Sequence, residues 1–242
     1  MIFYRIYQFC IAMPLLLVAT VVAALITIIG SALGMGRFFG YWPGHVWARI
    51  FCWLSLVRVE VRGREKINKR TSYVFVANHQ GAYDIFAIYG YLNHQFRWMM
   101  KKPLEKVPLV GYSCKVSGHI FVDNSSPAAV RATMAAAEQR LAGGMSVVVF
   151  PEGSRTLDGR MHTFRRGAYA LAMEFGLPVV PVSIDGSFDI MARRRDKLPR
   201  PGRIILTIHD PIPVGESGRH ELAELMTRSR DAIASALPEE QR

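Results

Sequence analysis

Between Arg5 and Arg37 the chain carries no charged residue, and from Ile11 to Ile29 only Pro14, Thr20 and Thr27 interrupt an apolar run. As a helix, that run reaches about 28 Å, close to the roughly 30 Å thickness of bilayer hydrocarbon. In lipid the backbone must satisfy its own polar groups, so a helix is the one conformation open to it. The next stretch, Phe38 to Val57, carries Phe38, Phe39, Tyr41, Trp42, Trp47, Phe51 and Trp53 beside Arg37, Arg49 and Arg58, a pattern of anchoring at headgroup level. Gly30, Gly34, Gly36 and Gly40 offer places to turn back, so a single span and a re-entrant helical pair both satisfy the sequence. Residues 1–57 therefore read as a membrane-anchoring helical module. A secretory signal fits poorly, because Gly-Met-Gly-Arg-Phe-Phe stands where a small-residue cleavage site is needed. Arg58, Arg62, Arg64, Lys66, Lys69 and Arg70 crowd its carboxyl side, which places the following part in the cytoplasm.

Thirty Lys and Arg against nineteen Asp and Glu give a net charge of +11. Nucleic acid, anionic lipid and acidic proteins are the partners such a charge admits. The sequence has no Cys-x2-Cys, no paired histidines and no RNA-binding aromatic signature, which argues against a metal site and against nucleic acid. Cys10, Cys52 and Cys114 are too few and too scattered for a disulfide framework.

Beyond residue 57, apolar runs recur at Tyr73-Ala77, Phe96-Met100, His119-Val122, Ser146-Phe150, Val179-Ile184 and Arg203-Ile208. Six strands are predicted there. Helical patterns alternate with them. Ser126 and Pro127 start one that puts Val130, Met134, Ala137 and Leu141 on a face and stops at Gly143-Gly144; a second groups Ala168, Leu171, Ala172 and Phe175; a third groups Leu222, Leu225, Met226, Ile233 and Leu237. Residues 58–242 are thus expected to form an α/β layered domain, with a central, largely parallel or mixed sheet flanked by helices.

Two strand ends carry chemistry. Tyr73-Ala77 breaks into Asn78-His79-Gln80-Gly81-Ala82-Tyr83-Asp84, and a carboxylate holding one imidazole nitrogen leaves the other free to take a proton near neutral pH. A satisfied histidine with an Asp in a first helical turn explains the same residues. After Ser146-Phe150 comes Pro151-Glu152-Gly153-Ser154-Arg155-Thr156, in which Arg155 suits a phosphate, Glu152 a hydroxyl or Arg155 itself, and Gly153 a close backbone approach; a polar capped turn is the alternative. Arg165-Arg166-Gly167 opens the next helix with positive charge.

Asn78-His79-x4-Asp84, Phe150-Pro151-Glu152-Gly153-Ser154-Arg155 and Val180-Pro181-Val182-Ser183-Ile184, in this order, resemble the phospholipid acyltransferase family typified by 1-acyl-glycerol-3-phosphate acyltransferase. Lys101-Lys102-Pro103-Leu104, Pro108, Gly111, Gly118 and Ile120-Phe121-Val122-Asp123 are similar to its intermediate motif, so the resemblance covers roughly residues 58–215. It implies His79 as general base and Asp84 as its orienting partner. It implies further that Glu152, Gly153, Ser154 and Arg155 bind the acceptor's polar head, with Lys101 and Lys102 nearby, and that Pro181 lies on the acyl side. No cofactor and no metal are implied: acyl-CoA or acyl-carrier protein is the donor substrate and a lysolipid the acceptor.

One departure concerns the head group. Where members acting on phosphatidate precursors commonly carry Arg after the Asp of the intermediate motif, Asn124 follows Asp123 here, and a neutral amide supplies no charge-assisted phosphate contact. Lys101, Lys102 or Arg165 would then substitute, or the acceptor lacks the phosphate, as in lyso-ornithine or lyso-glycine lipids. A non-catalytic lipid-binding membrane protein is the reading of another class, and thioester hydrolysis a lesser one. Cys114, with no adjacent histidine, reads as structural. Arg193-Arg194-Arg195-Asp196-Lys197, with Arg200 and Arg203, suits an anionic membrane surface, an acidic carrier protein or a solvated loop.

Overall fold

A computed structural model describes residues 2–123, 125–141, 144–193, 198–215 and 219–242. Its first helices, α1 (Ile2–Tyr7) and α2 (Met13–Ala32), join through a π-helical turn at Gln8–Ala12. Together they form one helix, Ile2–Ala32, long and apolar enough by length and composition to cross a membrane. Pro14 stands in the first turn of α2, where its missing N–H costs little. After Gly34, at φ +83°, come the single turn α3 (Gly36–Phe39) and α4 (Trp42–Leu54), which runs back along α2. Tyr4 and Tyr7 donate to the carbonyls of Ser55 and Leu54, Trp47 Nε1 donates to Thr20 Oγ1, and a Cβ at Gly30 would fall inside the Phe39 ring. These contacts fix an antiparallel helical hairpin.

Much of α2 is exposed apolar surface, including Leu17, Val18 and Ile29, whereas α4 lies between α2 and the rest of the protein. The aromatic stretch expected at headgroup level therefore divides. Phe38 and Trp53 are exposed, but Tyr41 is buried and Phe51 stacks on Phe86 at 4.3 Å between ring centroids.

The remaining elements are β1 (Val57–Arg62), β2 (Val74–Ala77), α5 (Tyr83–Tyr91), β3 (Phe96–Lys101), α6 (Val110–Val116), β4 (Ile120–Val122), α7 (Pro127–Leu141), β5 (Ser146–Val149), α8 (Gly167–Glu174), β6 (Val179–Asp185), α9 (Ser187–Met191), β7 (Gly202–Ile208) and α10 (Arg219–Ser235). The seven strands form one sheet in the order β1-β7-β6-β2-β5-β3-β4. Strands β2 to β6 are mutually parallel, β7 is antiparallel to β6, and β1 pairs with β7 in parallel, so the sheet is mixed. All six expected strands are present. The seventh, β1, reads Val-Arg-Val-Glu-Val-Arg, and this apolar–charged alternation is itself a strand signal that sequence reasoning spent on the basic flank of the membrane module.

Alternation along the strands sends side chains into two cores. Phe75 and Ala77 face the layer built by α4 and α5, with Ala48, Cys52, Ala87 and Ile88. Val74 and Val76 face the opposite layer, with Leu171, Ala172, Leu225 and Ile233. The face expected for α7 is shifted: Thr133, Ala137 and Leu141 are buried and Val130 is 41% exposed. Ser126 Oγ does accept the Ala129 N–H as its N-cap. Of the stop expected after α7, Gly144 takes φ +72° and Gly143 lies outside the described residues.

Candidate active site

Because β2, β3, β4 and β5 are parallel neighbours, their carboxyl ends bring His79, Lys101, Asp123 and Phe150 to one edge of the sheet. The backbone there is extended past the strand by side chains. Asn78 donates from Nδ2 to Ile184 O at 2.9 Å and accepts Ile184 N–H at 2.8 Å, so its amide continues the pairing with β6. One residue on, His79 N donates to Glu152 Oε1 at 2.7 Å and His79 O accepts Thr156 N–H at 3.0 Å.

The imidazole is held as firmly. Asp84, fully buried in the first turn of α5, places Oδ2 2.7 Å from His79 Nδ1, and the same oxygen accepts the N–H groups of Gln80 at 2.7 Å and Gly81 at 2.9 Å. A carboxylate only accepts, so in the neutral imidazole the proton sits on Nδ1 and Nε2 carries the lone pair. Gly81 is required because a Cβ there would fall on Ser187 O. The ring lies on Phe150, centroids 3.9 Å apart and planes 8° apart, and Phe150 in turn stacks on Trp98 at 5.5 Å. Only 13% of the His79 side chain remains exposed.

Glu152 accepts from His79 N through Oε1 and from His162 N through Oε2 at 2.9 Å, which ties the two strand-end loops together. Burial pushes its carboxyl up to about 7, against the opposing pull of those two N–H groups. Both oxygens thus face backbone donors, where the sequence assigned the residue to the acceptor's head. Gly153 takes φ +75°, and the Arg165 guanidinium lies over it, 3.0 Å from where a Cβ would stand.

Ser154 and Arg155 follow in the same loop, half-buried, and Arg155 O accepts from Arg193. Lys101 is exposed at the end of β3, and Lys102 pairs with Asp123 at 2.7 Å. Pro181 is buried within the sheet opposite Val76, three positions short of the His79 level, where its missing N–H ends the ladder with β7. Asn124 and the residues Arg194, Arg195, Asp196 and Lys197 lie outside the described residues.

Asn78, Gln80, Phe150 and Thr156 stand inside the two strand-end motifs, but sequence reasoning gave them no role; the structure makes them the supports of His79 and its loops. Gln80 Nε2 donates to Gly159 O at 3.0 Å and to Gln241 Oε1 at 2.9 Å. Asn78 and Gln80 flank the histidine, and buried amides at alternate positions after an apolar strand are the signal that would have found them. Cys114 is a free thiol pushed up to about 11 by burial. Among the described residues no group of three or more His, Cys, Asp or Glu side chains is placed to hold a metal.

A mixed α/β sheet that gathers a buried His–carboxylate pair and a glycine-containing loop beyond its parallel strand ends has the arrangement of an α/β enzyme with a base at the strand ends. The Acyltransferase family model matches residues 58–185, more than half of the chain, and the chain belongs to that family. It is similar to a 1-acyl-sn-glycerol-3-phosphate acyltransferase of Chlamydomonas reinhardtii, 27% identical over 97% of this chain and 68% of that one. It is also similar to 1-acyl-sn-glycerol-3-phosphate acyltransferase alpha of Mus musculus, 30% identical over 64% and 55%. The crystal structure of the 1-acyl-sn-glycerophosphate (LPA) acyltransferase PlsC from Thermotoga maritima matches with a TM-score of 0.76 at 26% identity, covering 98% of each chain. The chain spans between about half and two thirds of the length of the curated relatives it matches.

Proposed function

We propose that this protein is a membrane-bound O-acyltransferase that moves a fatty acyl group from an acyl thioester to the free hydroxyl of a lysophospholipid, with 1-acyl-sn-glycerol-3-phosphate as acceptor and phosphatidic acid as product. The observation that carries this reading is the 2.7 Å contact from His79 Nδ1 to a buried Asp84 oxygen that two backbone N–H groups also hold. It leaves Nε2 as the base. As the acceptor oxygen bonds to the thioester carbonyl carbon, Nε2 takes the hydroxyl proton; collapse of the tetrahedral species breaks the C–S bond, and the imidazolium returns the proton to the departing thiolate. General-base catalysis supplies about 10²- to 10⁴-fold, and positioning of the two substrates the rest.

Arg155, Ser154 and Lys101 are the groups at this edge offered to the acceptor's polar head, with Arg165 lying across Gly153. Lys102 is engaged by Asp123 and contributes less. Glu152 acts by fixing the two loops, and Pro181 by shaping the sheet beneath them. The donor is acyl-CoA or acyl-carrier protein. The apolar helix Ile2–Ala32 supports membrane binding, and the basic residues that follow the hairpin support a cytoplasmic catalytic domain.

The test is acyl transfer by the full-length, detergent-solubilised protein from an acyl thioester to lysolipids with and without a head-group phosphate. Product from lysophosphatidate that disappears in His79→Ala is the expected result. Product from phosphate-free lysolipids alone would overturn the acceptor assignment, and activity unaffected by His79→Ala would overturn the mechanism.

A further inference from the structure

The edge of the sheet opposite His79 holds a polar cavity, of about 230 Å³. It opens where the segments leading into β2, β3 and β5 meet the turn of the helical hairpin, and is lined by Lys69 and Thr71, by Asn93 and His94, and by Arg37 and Tyr41. β3, which separates the two edges, has six residues and so spans about 20 Å. Among the described residues, no acidic side chain lines this cavity. Arg37 and Lys69 are exposed at it, with no ion pair to a described residue.

A third cation lies beneath. Arg97 is buried and donates only to carbonyl oxygens of Gly40, Phe96 and Gly36, so no carboxylate among the described residues offsets it. Burial holds the Arg97 guanidinium below its usual range, and the positive charges of Arg140 and Arg37 act in the same direction.

Two buried polar groups of the lining lack a partner among the described residues: His94 Nδ1 and the Tyr41 hydroxyl. His94 Nε2 lies 2.8 Å from Ser146 Oγ, which itself accepts Tyr73 N–H at 3.0 Å. If the serine proton goes to Nε2, one polar group is left over; if Nε2–H goes to the serine, two are. The first arrangement makes Nδ1–H a free donor. Burial, with the Lys69 charge, pushes His94 down to about 4 and keeps the imidazole neutral. Two exposed cations line this concavity, buried Arg97 binds the carbonyls of Gly36 and Gly40 beside it, and no carboxylate among the described residues offsets the three, so an oxyanion is the ligand this charge distribution favours.

We propose that this cavity is an anion site, separate from the His79 site, that takes a phosphate group. The phosphate comes either free or on the headgroup of an anionic phospholipid. Arg37 belongs to the turn of the apolar hairpin and the exposed Phe38 follows it, which sets the cavity beside the surface offered to lipid.

Isothermal titration of the full-length protein in a neutral detergent tests this with two ligands, inorganic phosphate and detergent micelles carrying short-chain phosphatidylglycerol. The measurement is made in the Arg155→Gln background, which removes the cation offered to a phosphate at the other edge, with and without the added pair Arg37→Gln and Lys69→Gln, both exposed side chains. The expected result is binding at least tenfold weaker when the pair is added. Binding of phosphate itself assigns the site to the free ion, and binding of the phosphatidylglycerol micelles alone assigns it to a headgroup. Equal affinity with and without the pair, or no binding in either arm, would overturn the proposal.

Discussion

The imidazole of His79 lies face to face on the ring of Phe150, centroids 3.9 Å apart and planes within 8°. The two residues come from neighbouring parallel strands, β2 and β5, and the stack fixes the ring about the axis that the Asp84 bond leaves free. Stacking of this kind contributes about 0.5–1.5 kcal/mol. Phe150→Leu is therefore expected to lower kcat by about 2- to 10-fold with KM little changed, read from steady-state kinetics on the folded variant. An unchanged kcat would show that Asp84 alone orients the ring.

Asp84→Asn separates charge from geometry. The three donors on Oδ2 require an acceptor there, so the asparagine carbonyl takes that place and its NH2 takes the place of Oδ1, which has no partner among the described residues. The fold and the His79 tautomer survive while the charge that stabilises the imidazolium is gone. Activity is expected to fall by about 10²- to 10⁴-fold with little change in Tm. A large loss of Tm would instead mark Asp84 as mainly structural.

Glu152 gives a pH signature with a definite sign. Its folded-state carboxyl, at about 7, lies above its ordinary value of 4.5, so between these limits the folded protein holds more of this proton than the unfolded chain. The contribution to stability is present below pH 4.5 and is lost as pH rises through 7, by up to roughly 3 kcal/mol. Wild type and Glu152→Gln, compared by denaturant unfolding from pH 4.5 to 8, are expected to show a difference that shifts against the wild type across this range. A constant difference would mean that the carboxyl titrates normally.

Gly81→Ala probes the turn between histidine and aspartate. The added Cβ would fall on Ser187 O, so the turn must move away from α9, and Gly81 N is one of the donors that hold Asp84. Overpacking of this kind costs about 1–3 kcal/mol, and displacing the base by about 1 Å costs about 10²-fold in rate. Thermal unfolding and kcat measured together are expected to show both losses.

The sequence determined the parts of this protein that rest on local pattern. A charge-free apolar run must be helical, alternating apolar runs must be strands, and the order of His79-x4-Asp84, Phe150 to Arg155 and Val180 to Ile184 was enough to indicate the family. The strand β1 was legible too, in its strict alternation, but its arginines invited another use.

The tertiary structure decided what depends on residues distant along the chain. Val76 pairs with Val149 and Pro181, and only that register sets Phe150 against His79 and leaves Pro181 inside the sheet. Glu152 reads from sequence as a ligand for a substrate head, yet both of its oxygens meet N–H groups of His79 and His162, donors that every residue type except proline carries and that no motif can display. The hairpin's return along α2 likewise follows from contacts as far apart as Tyr4 and Ser55. Periodicity and residue type report which groups seek burial or charge; which partner each group finds is settled by strand order and register, quantities that have no local signature.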